Sequence, residues 1–467
     1  MPGRARRAAL AAVLLCAAAA GRPSLAAPAL QDPAAATQIA KLPNGLTVLT
    51  LVDPSTPAVS FQMWVRVGSK DEARYTGLAH LFEHMMFRGT DRIPPEAHER
   101  MISARGGEVN AFTTDDVTVF HSDVAPDSLP LVIELEAERV AHLKITDEVL
   151  SSERQVVLEE RRLRTEDSPQ GRAFESLLAL TFVAHPYRVP TIGWRSDIEA
   201  VTAAVCRKFF ETYYAPNNIV IAVAGSFDAA DVKARIERAF GGLEPVQDIP
   251  RNPTKEPEQR GERREVVHMD LRSPILAAAW HAPKTGDPDG PALDVASGVL
   301  SGGRSSRLYR RLVYGEQQAL AAEGAYWEMQ EAGLFYAFAM VRPDGDIDRV
   351  ERGFFDEIAR LRREPVSAAE LARAKRQIEV ELIARSNTAH ALAGRIAGDY
   401  VSFGRIRPLE ERLAAYRAVT AADVQRVAQT YLIDDARSVV HVIAAPGARE
   451  RGAPPPQPPG PVGPEIR

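Results

Sequence analysis

A helix-then-strand segment occurs twice in this 467-residue chain, and this repeat restricts the possible folds more than any other feature. The first copy, VTAAVCRKFFETYYAPNNIVIAVAG, begins at Val201; the second, VTAADVQRVAQTYLIDDARSVVHVIAA, begins at Val419. The offset of 218 residues aligns Tyr213 with Tyr431 without a gap. A repeat at so long a period indicates duplication of a whole domain rather than a solenoid of short units.

Segments rich in proline, glycine and charge divide the chain around the two copies. Residues 244–264 predict an interdomain linker, and residues 446–467 a proline-rich tail. Two homologous domains remain, at 38–243 and 265–445. In both, alternating apolar runs typical of strands are mixed with amphipathic helical segments. We therefore expect an α+β fold in which each half is a mostly antiparallel sheet covered by helices.

The first 26 residues have the features of a secretory signal peptide. Arginines at positions 4, 6 and 7 precede an apolar run at 8–20, and Ser24-Leu25-Ala26 supplies a small-residue cleavage site. This run is short for a bilayer-spanning helix, which leaves a membrane anchor as the less favoured alternative. Cys16 follows Leu15, whereas a lipoprotein signal has a small residue there. We expect a periplasmic or secreted protein without a membrane span after signal removal.

Charge and cysteine content exclude two further classes. The chain has 57 basic and 62 acidic residues and a net charge of -5, so it lacks the basic footprint of a nucleic-acid-binding protein. Signal removal leaves Cys206 as the one cysteine, so no internal disulfide can form. Its place on a predicted helix indicates a buried apolar role.

The segment HLFEHMMFRGT contains the chemically informative motif His80-x-x-Glu83-His84. On a helix, residues i and i+4 share a face, so both imidazoles can bind one metal ion. Glu83 lies near that face and can accept a proton from water held there; this is the inverted form of the H-E-x-x-H zinc-peptidase motif. The surrounding residues are apolar, and buried imidazoles need partners, which a metal supplies. Another zinc chemistry on the same helix is the remaining alternative.

A third ligand is expected from the later segment SSERQVVLEERR, which offers Glu153, Glu159 and Glu160. Glu153 and Glu160 are seven residues apart, two helical turns, and therefore share a face, whereas Glu159 points about 100° away. One face can thus present a ligand together with a supporting carboxylate.

HLFEHMMFRGT followed by ERQVVLEERR resembles the M16 zinc metallopeptidases, the group of pitrilysin, insulin-degrading enzyme and mitochondrial processing peptidase. The length is similar to the two-domain processing-peptidase-like subunits. The resemblance implies one zinc ion per chain, bound by His80, His84 and Glu160, with Glu83 as the general base. It also implies that Glu153 supports the catalytic site and that the C-terminal domain lacks zinc ligands.

The segment Gly106-Gly107 to Thr113 resembles the family's GG..NA.T hairpin, whose edge strand binds extended substrate beside the zinc. The resemblance implies substrate contacts from Asn110, Ala111 and Phe112; an ordinary hairpin is the alternative. His185-Pro186-Tyr187 and Gly193 match a family pattern that we interpret as structural.

One departure from the family concerns an Arg and a Tyr that self-sufficient members supply from their second half. Aligned on Glu316-Gln317, those positions are Val313 and Leu320, neither of which has a side-chain donor. Unless this alignment is out of register, a second M16-like subunit, or another copy in a homodimer, supplies the pair. The expected function is zinc-dependent cleavage of short or unfolded peptides as the zinc-bearing subunit of a two-chain enzyme. The alternative is a non-catalytic M16-like core or binding subunit.

Overall fold

The structure is a computed structural model that describes residues 32–384 and 387–446. The predicted signal peptide lies outside the described residues, as does the predicted tail except for Pro446. Among the described residues, no helix combines the length and the apolarity that a membrane crossing requires.

The first half contains a six-stranded sheet in the order β1-β2-β6-β3-β5-β4. Its strands are β1 (Gln38–Lys41), β2 (Thr47–Val52), β3 (Val59–Val65), β4 (Glu108–Thr113), β5 (Thr118–Val124) and β6 (Ile219–Gly225). Its helices are α1 (Pro33–Ala36), α2 (Leu78–Met85), α3 (Ala97–Ser103), α4 (Leu129–His142), α5 (Asp147–Arg161), α6 (Pro169–Thr181), α7 (Arg195–Ala200), α8 (Ala203–Tyr213) and α9 (Ala229–Phe240).

The second half contains a five-stranded sheet in the order β7-β11-β8-β10-β9. Its strands are β7 (Arg263–Met269), β8 (Ile275–Ala282), β9 (Ala319–Trp327), β10 (Gly333–Val341) and β11 (Arg437–Ala444). Its helices are α10 (Gly290–Ser301), α11 (Ile347–Arg363), α12 (Ala368–Ala384), α13 (Ala389–Phe403), α14 (Leu409–Ala418) and α15 (Ala421–Tyr431).

The two halves repeat one topology, which confirms the predicted fold class. Helices α8 and α15 occupy the two copies of the sequence repeat, and Thr202 and Thr420 cap them by accepting backbone N–H bonds from the first helical turn. The following strands also pair alike. β6 is parallel to β2 and antiparallel to β3, and β11 is parallel to β7 and antiparallel to β8. Each sheet is therefore antiparallel except for one parallel pair, β2–β6 in the first sheet and β7–β11 in the second.

Each half covers a sheet face of the other half. Helix α13 packs Leu392 and Ile396 against Leu49 and Leu51 of β2 and against β6. Helix α6 packs in return on β8 and β11 of the second sheet. Strand β6 is buried along its whole length because the first-half core lies on one face and α13 on the other. Burial of these apolar surfaces stabilises the contact between the two halves.

The predicted linker is packed against the first half. β7 begins at Arg263, so the last two residues of the segment 244–264 belong to the second sheet. The carboxylate of Glu256 accepts hydrogen bonds from the backbone N–H groups of Val183, Ala184 and His185. Cys206 is buried on α8 as expected, and burial raises the pKa of its thiol to about 12.

Candidate metal centre

The helix that bears the motif, α2, begins at a tight backbone junction. Gly77 precedes it with φ +86°, and a Cβ on Gly77 would lie 2.5 Å from the carbonyl oxygen of Ile192. The buried carboxylate of Glu72 accepts hydrogen bonds from the N–H of Gly77 at 2.7 Å and of Ala79 at 2.8 Å. Free N–H groups at a helix N-terminus favour such an acceptor, so Glu72 fixes where α2 starts.

Helix α2 separates apolar and polar side chains onto two faces. Leu78, Leu81, Phe82 and Met85 are buried in the first-half core. The motif residues occupy the other face, where the imidazoles of His80 and His84 lie 4.9 Å apart between ring centroids.

Helix α5 presents two of its glutamates to this face. Oε2 of Glu160 lies 3.6 Å from Nε2 of His80 and 3.2 Å from Nε2 of His84. Glu153 is fully buried, with one carboxylate oxygen 3.8 Å from Nδ1 of His84 and the other 2.5 Å from Nε of Arg88. Glu159 points away and pairs with Arg162 at the surface. The structure thus places Glu153 and Glu160, but not Glu159, beside the two histidines, in agreement with the helical spacing.

The donor set fits a zinc ion. His80, His84 and Glu160 each place one ligand atom within 4.8 Å of the others. Ligand atoms around a tetrahedral zinc lie roughly 3.3 Å apart, close to the separations of the Glu160 oxygen from the two imidazole nitrogens. Glu153 lies 3.8 Å from the other nitrogen of His84, the position from which a carboxylate can orient a metal-binding imidazole.

Burial and neighbouring charges prepare His80 and Glu160 for a cation, whereas for His84 burial is outweighed by the hydrogen bond to Glu160 and the nearby carboxylates, which raise its pKa. Burial lowers the pKa of His80 to about 4, which leaves a neutral imidazole with a lone pair. Burial alone would raise the pKa of Glu160, but its hydrogen bond to His84 and the charges of His80 and Arg164 bring it to about 2. Arg164 lies 3.0 Å from Oε1 of Glu160, so the other oxygen, Oε2, is the one that faces the histidines.

Glu83 lies between the histidines and the sheet. Its Oε2 accepts a hydrogen bond from the Thr113 hydroxyl at 2.7 Å. Burial raises the pKa of Glu83, while the bond from Thr113 and the charge of His84 partly oppose that rise. A raised carboxylate pKa is the adjustment that a general base for neutral solution requires.

The predicted substrate contacts lie on β4, an edge strand of the first sheet. Asn110 is exposed, and its Oδ1 accepts a bond from the N–H of Ala111 at 2.9 Å. The ring of Phe112 packs edge-on against Trp64, on the face opposite to the Thr113 side chain. The ring of Phe112 therefore points away from the metal centre, and only its backbone is available for a contact with a substrate bound there.

The two positions expected to lack an Arg/Tyr pair lie in the second half. Val313 belongs to a π-helical segment, Tyr309–Gly315, and packs against the second-half core. Leu320 is exposed on the edge strand β9. Of the donors nearby, Arg311 is paired with Glu316 and Tyr314 is 76% exposed.

Four residues around the centre escaped the sequence interpretation: Glu72, Arg88, Thr113 and Arg164. Arg164 follows Glu160 by one helical turn, a spacing that indicates an ion pair. Thr113 falls in the family-like hairpin, where strand alternation could have assigned its side chain to the side of Ala111. Glu72 bonds to residues five and seven positions later through an irregular loop that has no sequence signature, and the contact of Arg88 with Glu153 depends on tertiary packing.

Comparisons with known proteins agree with this architecture. Residues 47–194 match the family model described as insulinase (peptidase family M16), and residues 200–378 match that of the peptidase M16 inactive domain. A protein of Mycobacterium bovis named as an uncharacterized zinc protease is 30% identical over 411 residues, covering 86% of this chain and 92% of the relative. A probable mitochondrial-processing peptidase subunit beta of Arabidopsis thaliana is 27% identical over 412 residues, covering 85% and 76%.

A solved protease structure from Helicobacter pylori superposes with a TM-score of 0.84 at 28% identity, covering 87% of this chain and 99% of that one. The matched models span both halves of the chain, and the predicted resemblance is confirmed: this chain belongs to the M16 family of zinc proteases.

Proposed function

We propose that this chain is a zinc-dependent endopeptidase that cleaves extended peptides. The observation that carries the proposal is the convergence of His80, His84 and Glu160 beside Glu83, with the edge strand β4 joined to Glu83 through Thr113. A ligand set, a carboxylate base and an edge for an extended chain therefore meet in one place. The family's zinc proteases support this reaction class.

The side chains divide the chemistry among them. His80, His84 and Glu160 would hold the zinc ion, which lowers the pKa of bound water and polarises a carbonyl group. Glu83 accepts a proton from the attacking water and returns it to the leaving amine as the peptide bond breaks. Thr113 holds the carboxylate of Glu83 in position, and Glu153 orients His84 from behind.

An extended substrate would bind by adding a strand to β4. Edge strands present unpaired backbone groups, and pairing with them selects an extended chain with little regard to sequence. The N–H of Ala111 already has a side-chain acceptor in Asn110, which a substrate carbonyl would replace. Such binding favours short or unfolded peptides.

The same proposal includes a partner subunit. Val313 and Leu320 cannot donate hydrogen bonds from their side chains, and removing one oxyanion donor typically costs 10²–10³ in kcat. A second M16-like chain, or another copy of this one, would supply the missing Arg and Tyr. Similarity to a processing-peptidase beta subunit supports a paired assembly. The leader-like first 26 residues support a periplasmic or secreted location.

The test measures zinc content and hydrolysis of a quenched, unstructured peptide on the same sample of the mature chain, alone and with an M16-like partner that has the Arg/Tyr pair. Glu83→Gln should keep its zinc and lose roughly 10²–10⁴ in kcat, because it removes the base without removing a ligand. Glu159→Gln, the exposed neighbour of Glu160, is the matched control. Full activity in Glu83→Gln contradicts the assigned base.

The subunit requirement is tested on the same sample. We expect zinc to be bound with little turnover until an M16-like partner with the Arg/Tyr pair is added. Rapid chelator-sensitive turnover by the isolated chain would overturn the partner requirement. Failure to retain zinc, or to hydrolyse peptide with any partner, would instead favour a non-catalytic subunit.

A further inference from the structure

A second group of metal-type ligands lies on the first sheet, away from α2. Among residues 32–384 and 387–446, two groups place histidine and carboxylate atoms within 4.8 Å of one another. The first is the candidate metal centre; the second consists of His121, Asp123 and His390. Both contain two imidazoles and one carboxylate, a donor set suited to zinc and similar divalent ions.

The second group lies on the opposite sheet face. His121 and Asp123 are two residues apart on β5, so their side chains share a face. Phe120, between α2 and the sheet, points the other way and packs against Phe87. The imidazole of His121 lies instead 4.7 Å from that of His390 between ring centroids.

The third member comes from the other half of the chain. His390 is the second residue of α13, whose start is fixed by Thr388 accepting a bond from the N–H of Ala391. The backbone carbonyl of His390 also accepts a bond from Gln62 of β3 at 3.1 Å. The first turn of α13 is thus anchored on β3, the direct neighbour of the strand β5 that carries the other two residues.

An ion pair alone does not account for this arrangement. Nδ1 of His390 lies 2.9 Å from Oδ2 of Asp123, which would satisfy those two atoms. His121 is then left over, since its buried Nδ1 makes no hydrogen bond to any described residue. A buried nitrogen without a partner is costly, and a shared cation would remove that cost.

We propose that His121, Asp123 and His390 form a second divalent-metal site, of the zinc class, that joins α13 of the second half to the sheet of the first. With three protein ligands, the fourth position of a tetrahedral ion is left to water. A bound ion would stabilise the interface that α13 already forms with β2 and β6 by apolar packing. Because His121 pairs with Asn110 of β4, it also stiffens the sheet next to the substrate edge.

Zinc stoichiometry tests the proposal without any activity measurement. Apo protein, as the mature chain, is titrated with zinc against a chromophoric chelator. Wild type should bind two ions per chain; the His80→Gln/His84→Gln variant and the His121→Gln/Asp123→Asn variant should each bind one. His142→Gln, at an exposed histidine, is the matched control and should bind two. One ion in wild type, or an unchanged count in His121→Gln/Asp123→Asn, overturns the proposal.

A second measurement covers variants that fold poorly. In the His80→Gln/His84→Gln background, zinc should raise Tm, because an ion that binds only the folded state stabilises it. Adding the nearly isosteric Asp123→Asn should abolish that rise. If zinc does not raise Tm in the His80→Gln/His84→Gln background, or still raises it after Asp123→Asn is added, the proposed second site is wrong. Neither result depends on whether the first centre is catalytic.

Discussion

Thr113 at the end of β4 donates a 2.7 Å hydrogen bond to Glu83 on α2 and so links the edge strand to the proposed base. The bond lies in a largely buried place, where a hydrogen bond to a charged group contributes about 1.5–3 kcal/mol. A peptide paired with β4 is therefore held in a fixed position relative to the Glu83 carboxylate that acts on it.

Removal of this bond should slow catalysis without removing metal. Thr113→Val keeps the shape of the side chain and loses the donor, so we expect kcat to fall roughly 10- to 100-fold with unchanged zinc content. Steady-state kinetics and metal analysis on one sample check this. Thr430→Val, at an exposed threonine that bonds within its own helix, should have no effect. Wild-type kcat in Thr113→Val would show that Glu83 is positioned by other contacts.

Glu72 should control metal affinity although it touches no ligand. Its carboxylate holds two backbone N–H groups at the start of α2, and leaving them without an acceptor costs about 1–3 kcal/mol. Since His80 and His84 need an ordered α2, Glu72→Ala should weaken zinc binding by roughly 10-fold or more. Glu72→Gln keeps one acceptor oxygen and should be intermediate. Competition with a chelator measures both, and equal affinities in all three proteins would contradict the capping role.

Gly193 should tolerate no side chain. Its φ is +80°, and a Cβ there would lie 2.5 Å from the backbone of Gly77. Gly193→Ala is therefore expected to destabilise the fold by more than 1 kcal/mol and to displace the start of α2. Urea unfolding compares it with Gly242→Ala, where a Cβ meets no atom within 4 Å and stability should be unchanged or slightly raised. Equal stabilities would show that the junction can relax.

Local periodicity explains what could be predicted from sequence. The fold class followed from the repeat, and α8 and α15 begin at the equivalent positions Ala203 and Ala421. The ligand faces followed from helical spacing, which places Glu153 and Glu160 on one side of α5 and Glu159 on the other. These relations lie within single elements or within a repeated unit.

Contacts between distant segments could not be predicted in this way. Arg88 meets Glu153 only after α2 and α5 have packed, and Thr113 meets Glu83 only after the sheet and α2 have packed. Helices α6 and α13 each pack on the sheet of the other half, and this packing depends on the shape of the complete apolar faces that meet there. His390 reaches His121 through that packing, so no sequence spacing could have paired them.

Asp115 should make stability depend on pH. Burial, together with the charge of Asp116, raises the pKa of Asp115 to about 7, whereas an unfolded chain titrates near the ordinary value of 3.8. Between these values the folded state binds a proton that the unfolded state has lost. The contribution of Asp115 is therefore fully present below about pH 4, declines as pH rises to about 7, and is constant above that.

Asp115→Asn keeps the shape and removes the titration. The free energy of unfolding of the variant, relative to wild type, should increase between pH 5 and pH 8, with an upper bound of about 3 kcal/mol. Urea unfolding at the two pH values measures this difference, and using the difference cancels the titration of all other groups. Asp248→Asn, at an exposed aspartate, should show no such change. A parallel pH dependence in wild type and Asp115→Asn would mean that Asp115 stays ionised in the folded protein, held by Ser69 and Lys70.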